Sequence, residues 1–232
     1  IKEKKDEDWK PAAIFWEVTN RRSDEKTINY AESHDQALVG DKTIIFRLID
    51  DQMYWHMMKN DINYTVDRGI ALHKMIRLIT LSTINGGWID FPREGNGWSY
   101  KYARRQWSLV DREDLKYSYL GKFDADMISL IKNEHNFEKS LIDKLWDNEG
   151  DQILAFKRKD LIFVFNFHPN KSFTDYGILA PKGEYKTILN TDSPEYGGYG
   201  LIDESIPHFT NFDPLYKKDK KEWLKLYIPA RS

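Results

Sequence analysis

The sequence predicts an α/β part over residues 1–140 followed by an all-β domain, a sandwich, over residues 141–232. Three observations carry this reading. Arg68 to Thr83 sets Leu72, Met75, Ile76 and Ile79 on one helical face. Near residue 140 helical spacing gives way to a strand, turn, strand rhythm. In the second part, Leu161-Ile162-Phe163-Val164-Phe165 is apolar at every position, as in a strand covered on both faces.

Taken in order, residues 1–10 are charged and read as a loop or frayed helix end. Pro11 suits the first turn of a helix that runs to Arg22, with Ile14, Phe15 and Val18 at helical spacing. Thr27 to Tyr30 is β-branched and aromatic and reads as a strand. Lys42 to Met53 returns to helical spacing through Ile44, Ile45, Leu48 and Ile49. Met57 to Tyr64 is polar and loop-like, and Asp67 is the expected N-cap of the Arg68–Thr83 helix. Asn85-Gly86-Gly87 ends that helix, because glycine accepts the left-handed residue at a helix C-terminus. An extended piece, Trp88 to Pro92, precedes helices over Trp98–Leu109 and Leu120–Lys132. In the β domain, Gln152–Lys157 and Leu161–Phe167 form a hairpin about Arg158-Lys159-Asp160. Tyr185–Asn190 and Trp223–Ile228 are further strands.

The stretch that bears chemistry is Tyr30-Ala31-Glu32-Ser33-His34-Asp35, at a junction of strand and helix. In α/β proteins that junction faces a ligand crevice. An imidazole and two carboxylates there are costly unless solvated, paired or used. Ser33, His34 and Asp35 do not form a nucleophile triad, since neighbours on an extended strand point to opposite faces. Read alone, the motif favours a structural account, with Asp35 capping the next helix while His34 packs. The six histidines have no close pair at metal-ligand spacing, so no metal site is expected. Gly197-Gly198-Tyr199-Gly200 is a turn rather than a phosphate cradle, for want of a strand-to-helix frame.

The run Ala31-Glu32-Ser33-His34-Asp35-Gln36-Ala37-Leu38-Val39-Gly40-Asp41-Lys42 resembles the fourth sequence region of the α-amylase superfamily, in the form found in the glycogen and starch branching enzymes. Further matches lie in the same order along the chain. They are Thr19–Arg22, His73–Ile79, Trp88–Arg93, Tyr102–Gln106, Phe163–Pro169 and Glu195–Gly198. The resemblance implies the C-terminal part of a (β/α)8 TIM barrel, followed by the family's C-terminal β-sandwich. It implies a retaining double displacement that moves an α-1,4-glucan segment to a 6-hydroxyl. Asp35 would bind hydroxyls of the sugar at the scissile bond, and His34 would hydrogen-bond the same sugar. Glu32, Trp88, Asp90, Trp98 and Tyr100 are candidate glucan contacts, Glu32 also as an orienting group. The family's nucleophile and acid/base lie upstream of every match, so the chain alone is expected to be inactive. Its expected partners are the α-glucan (glycogen) substrate and an upstream catalytic-barrel part of a longer chain. The alternatives are a non-catalytic α-glucan-binding module and an amylase-like hydrolase. The sequence departs from the family at Gly87-Trp88, where branching enzymes carry a last barrel strand. A parallel barrel cannot close without it, so we expect a break between these two residues rather than a peptide bond.

Composition bounds the rest. A chain of 232 residues with 41% apolar content folds around a core. A net charge of −2 disfavours nucleic acid, and no apolar run has membrane-spanning length. Zero cysteines exclude thiolate chemistry and accord with a cytoplasmic setting. No cofactor is expected. The chain opens on Ile1 rather than Met, and so reads as a piece of a longer protein. Eight Trp and thirteen Tyr supply aromatic faces for a core or for sugar rings.

Overall fold

A computed structural model describes residues 4–22, 24–32, 43–83, 87–88, 107–212 and 221–232. Helices α1 (Pro11–Thr19), α2 (Ile44–Ile49), α3 (Tyr64–Ser82), α4 (Trp107–Val110) and α5 (Tyr117–Asn133) alternate with short strands in the first part. Strands β1 (Ile28–Asn29) and β2 (Gly87–Trp88) pair in parallel, Ile28 with Gly87 and Asn29 with Trp88. Gly87 and Trp88, where the break is expected, form one short strand that finds a partner in β1. Among the described residues this is the only parallel pairing, and they contain no closed TIM barrel.

From Asp143 onward the chain is antiparallel β. One sheet has the order β3 (Asp143–Asn148), β4 (Ile153–Arg158), β5 (Leu161–Asn166). The other has the order β6 (Phe173–Leu179), β9 (Glu222–Ile228), β8 (His208–Phe212), β7 (Glu184–Tyr185). Strand alternation divides β4 and β5 between two cores. Leu154, Phe156, Phe163 and Phe165 turn toward the helices and pack with Leu72, Met75 and Ile79 of α3 and Phe123 and Met127 of α5. Ala155, Ile162 and Val164 turn the other way and meet Ile178 and Leu224 of the second sheet. The result is three layers of helices, sheet and sheet, with β4 and β5 covered on both faces as their composition requires. Phe156 stacks on Phe163 and Phe165 at 5.1 and 6.0 Å, which fixes the register of the first core.

Four local expectations change. Asn63, not Asp67, caps α3, its side chain accepting from Val66 N–H at 3.0 Å. Asp67 instead accepts from Lys116 at 2.8 Å, which binds α3 to the segment before α5. The helix expected over Lys42–Met53 is α2 followed by a 3-10 turn, because Asp50 takes φ 49° and breaks the α geometry. Of the strand expected over Tyr185–Asn190, only Tyr185 lies in the sheet. Arg158, expected in a hairpin turn, ends β4 fully buried, and Lys159 takes the left-handed turn position at φ 53°.

Candidate functional site

β1 leads into the Ser33-His34-Asp35 motif, and β2 leads into Asp90. Their parallel pairing brings the C-terminal ends of both strands to one side. That edge is held from below by the C-terminus of α3. Asn29 Nδ2 donates to Thr83 Oγ1 at 3.2 Å and to the Thr80 carbonyl at 3.4 Å. Helix α3 leaves carbonyls unpaired at its end, as every helix does. Arg21 donates to the Thr83 carbonyl at 2.6 Å, and Arg158 to that of Ser82 at 2.8 Å. Two guanidinium groups thus cap the negative end of the helix that carries β1. Arg158 also donates to Ser140 Oγ at 3.0 Å and lies 4.3 Å from the Phe137 ring centre. Burial, then the nearby charge of Arg21, lowers its pKa to about 10, so it stays charged at neutral pH.

Glu32 is buried, at 8% exposure, and its Oε2 accepts from the Ile44 N–H at 2.6 Å. A carboxylate at the first residue of α2 suits the positive end of a helix. Thr43 caps the same helix, accepting from Phe46 N–H. The bond from Ile44 N–H to Glu32 ties residue 32 to residue 44, on either side of the sequence that contains His34 and Asp35. His34, Asp35, Asp90, Trp98 and Tyr100 lie outside the described residues, and Trp88 is described only as backbone in β2. Glu32 and the β2 strand of Trp88 are therefore the predicted site positions that the structure brings to one region.

Sequence reasoning missed a second polar centre. Lys74 projects from α3, almost wholly buried, and its Nζ donates to the carbonyls of Thr191 and, at 2.8 Å, Tyr196. Burial pulls its pKa to about 8, opposed by the Asp192 charge. Asp192 in turn accepts from the N–H groups of Tyr199 and Leu201 at 2.9 and 2.8 Å. The signal was a lysine inside the run Leu72-His73-Lys74-Met75-Ile76, where solvent cannot reach an ammonium. Beside it, His73 is buried and burial lowers its pKa to about 3, with the charge of Arg77 acting the same way. Its Nδ1 has no hydrogen-bond partner among the described residues. A separate cavity of about 860 Å³ borders β5, with Val164, Tyr185, Ile188 and Leu224 in its walls. None of the predicted site residues lines it. No helix among the described residues is long and apolar enough to cross a membrane.

Residues 146–232 match the family model described as the alpha amylase C-terminal all-beta domain, in agreement with the antiparallel sheets. Over its whole length the chain is 46% identical to the 1,4-alpha-glucan-branching enzyme of Yarrowia lipolytica, covering 36% of that protein. It is 44% identical, again over its whole length, to the one from Saccharomyces cerevisiae, covering 35%. The chloroplastic/amyloplastic enzyme of Oryza sativa subsp. japonica is 44% identical over 91% of the chain and 28% of its own length. The chain thus spans about a third of the length of the first two relatives. The alignment with the Yarrowia protein extends over 250 positions against 232 residues here, so that relative carries residues that the chain lacks. The resemblance read from the motifs holds along the entire chain.

Proposed function

Taking that whole-chain likeness to 1,4-alpha-glucan-branching enzymes as premise, we propose that the chain is the C-terminal portion of such an enzyme. The activity is transfer of an α-1,4-glucan segment to a glucan 6-hydroxyl, giving α-1,6 branches in glycogen synthesis, in the cytoplasm. The observation that carries this is identity of 46% and 44% across the full chain to proteins of that name, with the His-Asp motif inside the aligned length.

In this reading the chain supplies positioning rather than bond making. Residues 1–140 complete a barrel whose nucleophile and acid/base come from upstream, and residues 141–232 form the sandwich behind it. Asp35 hydrogen-bonds hydroxyls of the sugar at the scissile bond, and His34 donates to the same ring. Such bonds favour the distorted ring of the transition state and add several kcal/mol to its stabilisation. Asp90, Trp98, Tyr100 and Trp88 contact the glucan beyond the scissile bond. Glu32 supports this arrangement through its bond to Ile44, which fixes the two ends of the 33–42 segment at a constant separation.

The test is formation of α-1,6 linkages on linear α-1,4-glucan, followed by proton NMR. The chain alone gives none, since no nucleophile can form the glycosyl-enzyme. The longer protein that carries it does. Turnover by the isolated chain, or α-1,4 hydrolysis without branching by the longer protein, contradicts the proposal.

A further inference from the structure

Asn29 is a polar residue on the face of β1 that turns inward. Its neighbours Ile28 and Tyr30 stand in solvent at 56% and 49% exposure, and Asn29 between them faces the C-terminus of α3. An apolar side chain there would need no partners, whereas a carboxamide does. Asn29 is bonded at both ends. Its Nδ2 donates to Thr83 Oγ1 at 3.2 Å and to the Thr80 carbonyl at 3.4 Å, and its Oδ1 accepts from Thr27 Oγ1 at 3.4 Å. The Thr83 hydroxyl directs its own proton to the Ile79 carbonyl at 2.8 Å, which leaves its lone pairs to Asn29. The network thus fixes which end of the amide is the donor.

The residue that receives Asn29 is itself immobilised. Thr83 is fully buried, Arg21 donates to its carbonyl, and Arg158 donates to the carbonyl before it. Each guanidinium has a second hold, Arg21 on the Val18 carbonyl at 2.9 Å and Arg158 on the Ser140 carbonyl at 3.3 Å. Arg158 belongs to β4, so the β domain steadies the point from which β1 hangs. The pairing of β1 with β2 is two residues long, and so short a pair has little stability of its own. A slip of one residue would turn every side chain to the opposite face. Asn29 resists that slip, because its acceptors sit at one level of α3. Glu32, bonded to the Ile44 N–H, is the second pin.

We propose that Asn29 is a positioning residue for glucan transfer, its carboxamide setting the register of β1 on α3 and so the point from which the chain enters the Ser33-His34-Asp35 motif. The role in transfer rests on the branching-enzyme reading, and the anchor itself does not. Asn29 acts through β1 and touches no substrate. Displacing a reacting geometry by about 1 Å costs about a hundredfold in rate. A change at Asn29 therefore acts on kcat and leaves glucan affinity in place.

Branching kinetics of the longer protein test the role. Asn29→Ala and Thr83→Val each lower kcat about tenfold or more, with KM for linear glucan within about twofold of the parent. The double variant is no slower than either single one, since both changes cut the same bond. Thr83→Ser keeps the hydroxyl and restores the parent rate. A kcat within about twofold of the parent for Asn29→Ala, or additive losses in the double variant, overturns the proposal. Hydrogen exchange of the 232-residue chain isolates the anchor from the chemistry. Asn29→Ala and Thr83→Val each speed exchange at residues 28–30 about tenfold and leave the middle of α3 unchanged. Unaltered exchange at residues 28–30 also overturns the proposal. The enzyme reading fails on a different observation, a longer protein that makes no α-1,6 linkages; the role in transfer then falls with it, while the exchange result stands.

Discussion

At the scale of single residues, buried polar groups decide what the chain tolerates. Lys74 donates to two buried carbonyls, so Lys74→Met removes that donor from both. The expected cost is about 2–4 kcal/mol, read as a lower urea midpoint. His73 sets a pH dependence. Its folded pKa, about 3, lies below its ordinary 6.5, so in that window the unfolded chain binds the additional proton. This contribution is complete above 6.5 and is lost as pH falls toward 3. His73→Leu, similar in bulk and free of a titrating ring, flattens the melting temperature between pH 7 and pH 5. An unchanged slope contradicts the assignment. Glu32→Ala removes a charge-assisted bond to Ile44 and costs about 1–2 kcal/mol by the same urea assay. None of these bonds is legible in the sequence, because each joins residues that only tertiary packing brings together. Residue type alone marks Lys74 as a position to question, a lysine inside an apolar run.

At the scale of elements, periodicity served well where a face is uniformly apolar and poorly where a turn intervenes. The β4–β5 hairpin and β9 form where the sequence places strands, and α3 and α5 follow their 3.6-residue spacing. Asp50 defeats the pattern of α2, since a left-handed residue leaves no trace in hydrophobic spacing. The α3 N-terminus was set four residues late because Asp67 is as good a capping type as Asn63. Arg158 shows how alternation positions function as well as packing. Its parity with Leu154 and Phe156 points it at the helix layer, where it caps α3. Arg158→Met leaves the Ser82 carbonyl bare at the helix end, a loss of about 3 kcal/mol by urea unfolding. The Glu195–Gly198 turn is stricter. A Cβ on Gly198 would lie 2.1 Å from the Asp192 carbonyl oxygen, a backbone atom that cannot step aside. Gly198→Ala therefore opens the turn that holds Lys74, and proteolysis within residues 190–200 detects it.

At the scale of the whole molecule, the β sandwich can be read from the sequence because its strands are local and repetitive. The candidate site is proposed on a different ground. Its motif lies within a whole-chain likeness to longer proteins, so its meaning depends on residues elsewhere in them. The structure contributes the frame: β1 beside β2, Glu32 bound to Ile44, and two arginines on the end of α3. On this account Asp35 acts in the transition state and has little part in holding glucan. The direct measurement is steady-state branching kinetics of the longer protein with Asp35→Ala. The prediction is a kcat lower by about a hundredfold or more, with KM for linear glucan within a few-fold of the parent. A kcat within a few-fold of the parent would mean that Asp35 is structural, and would contradict the assignment of the motif.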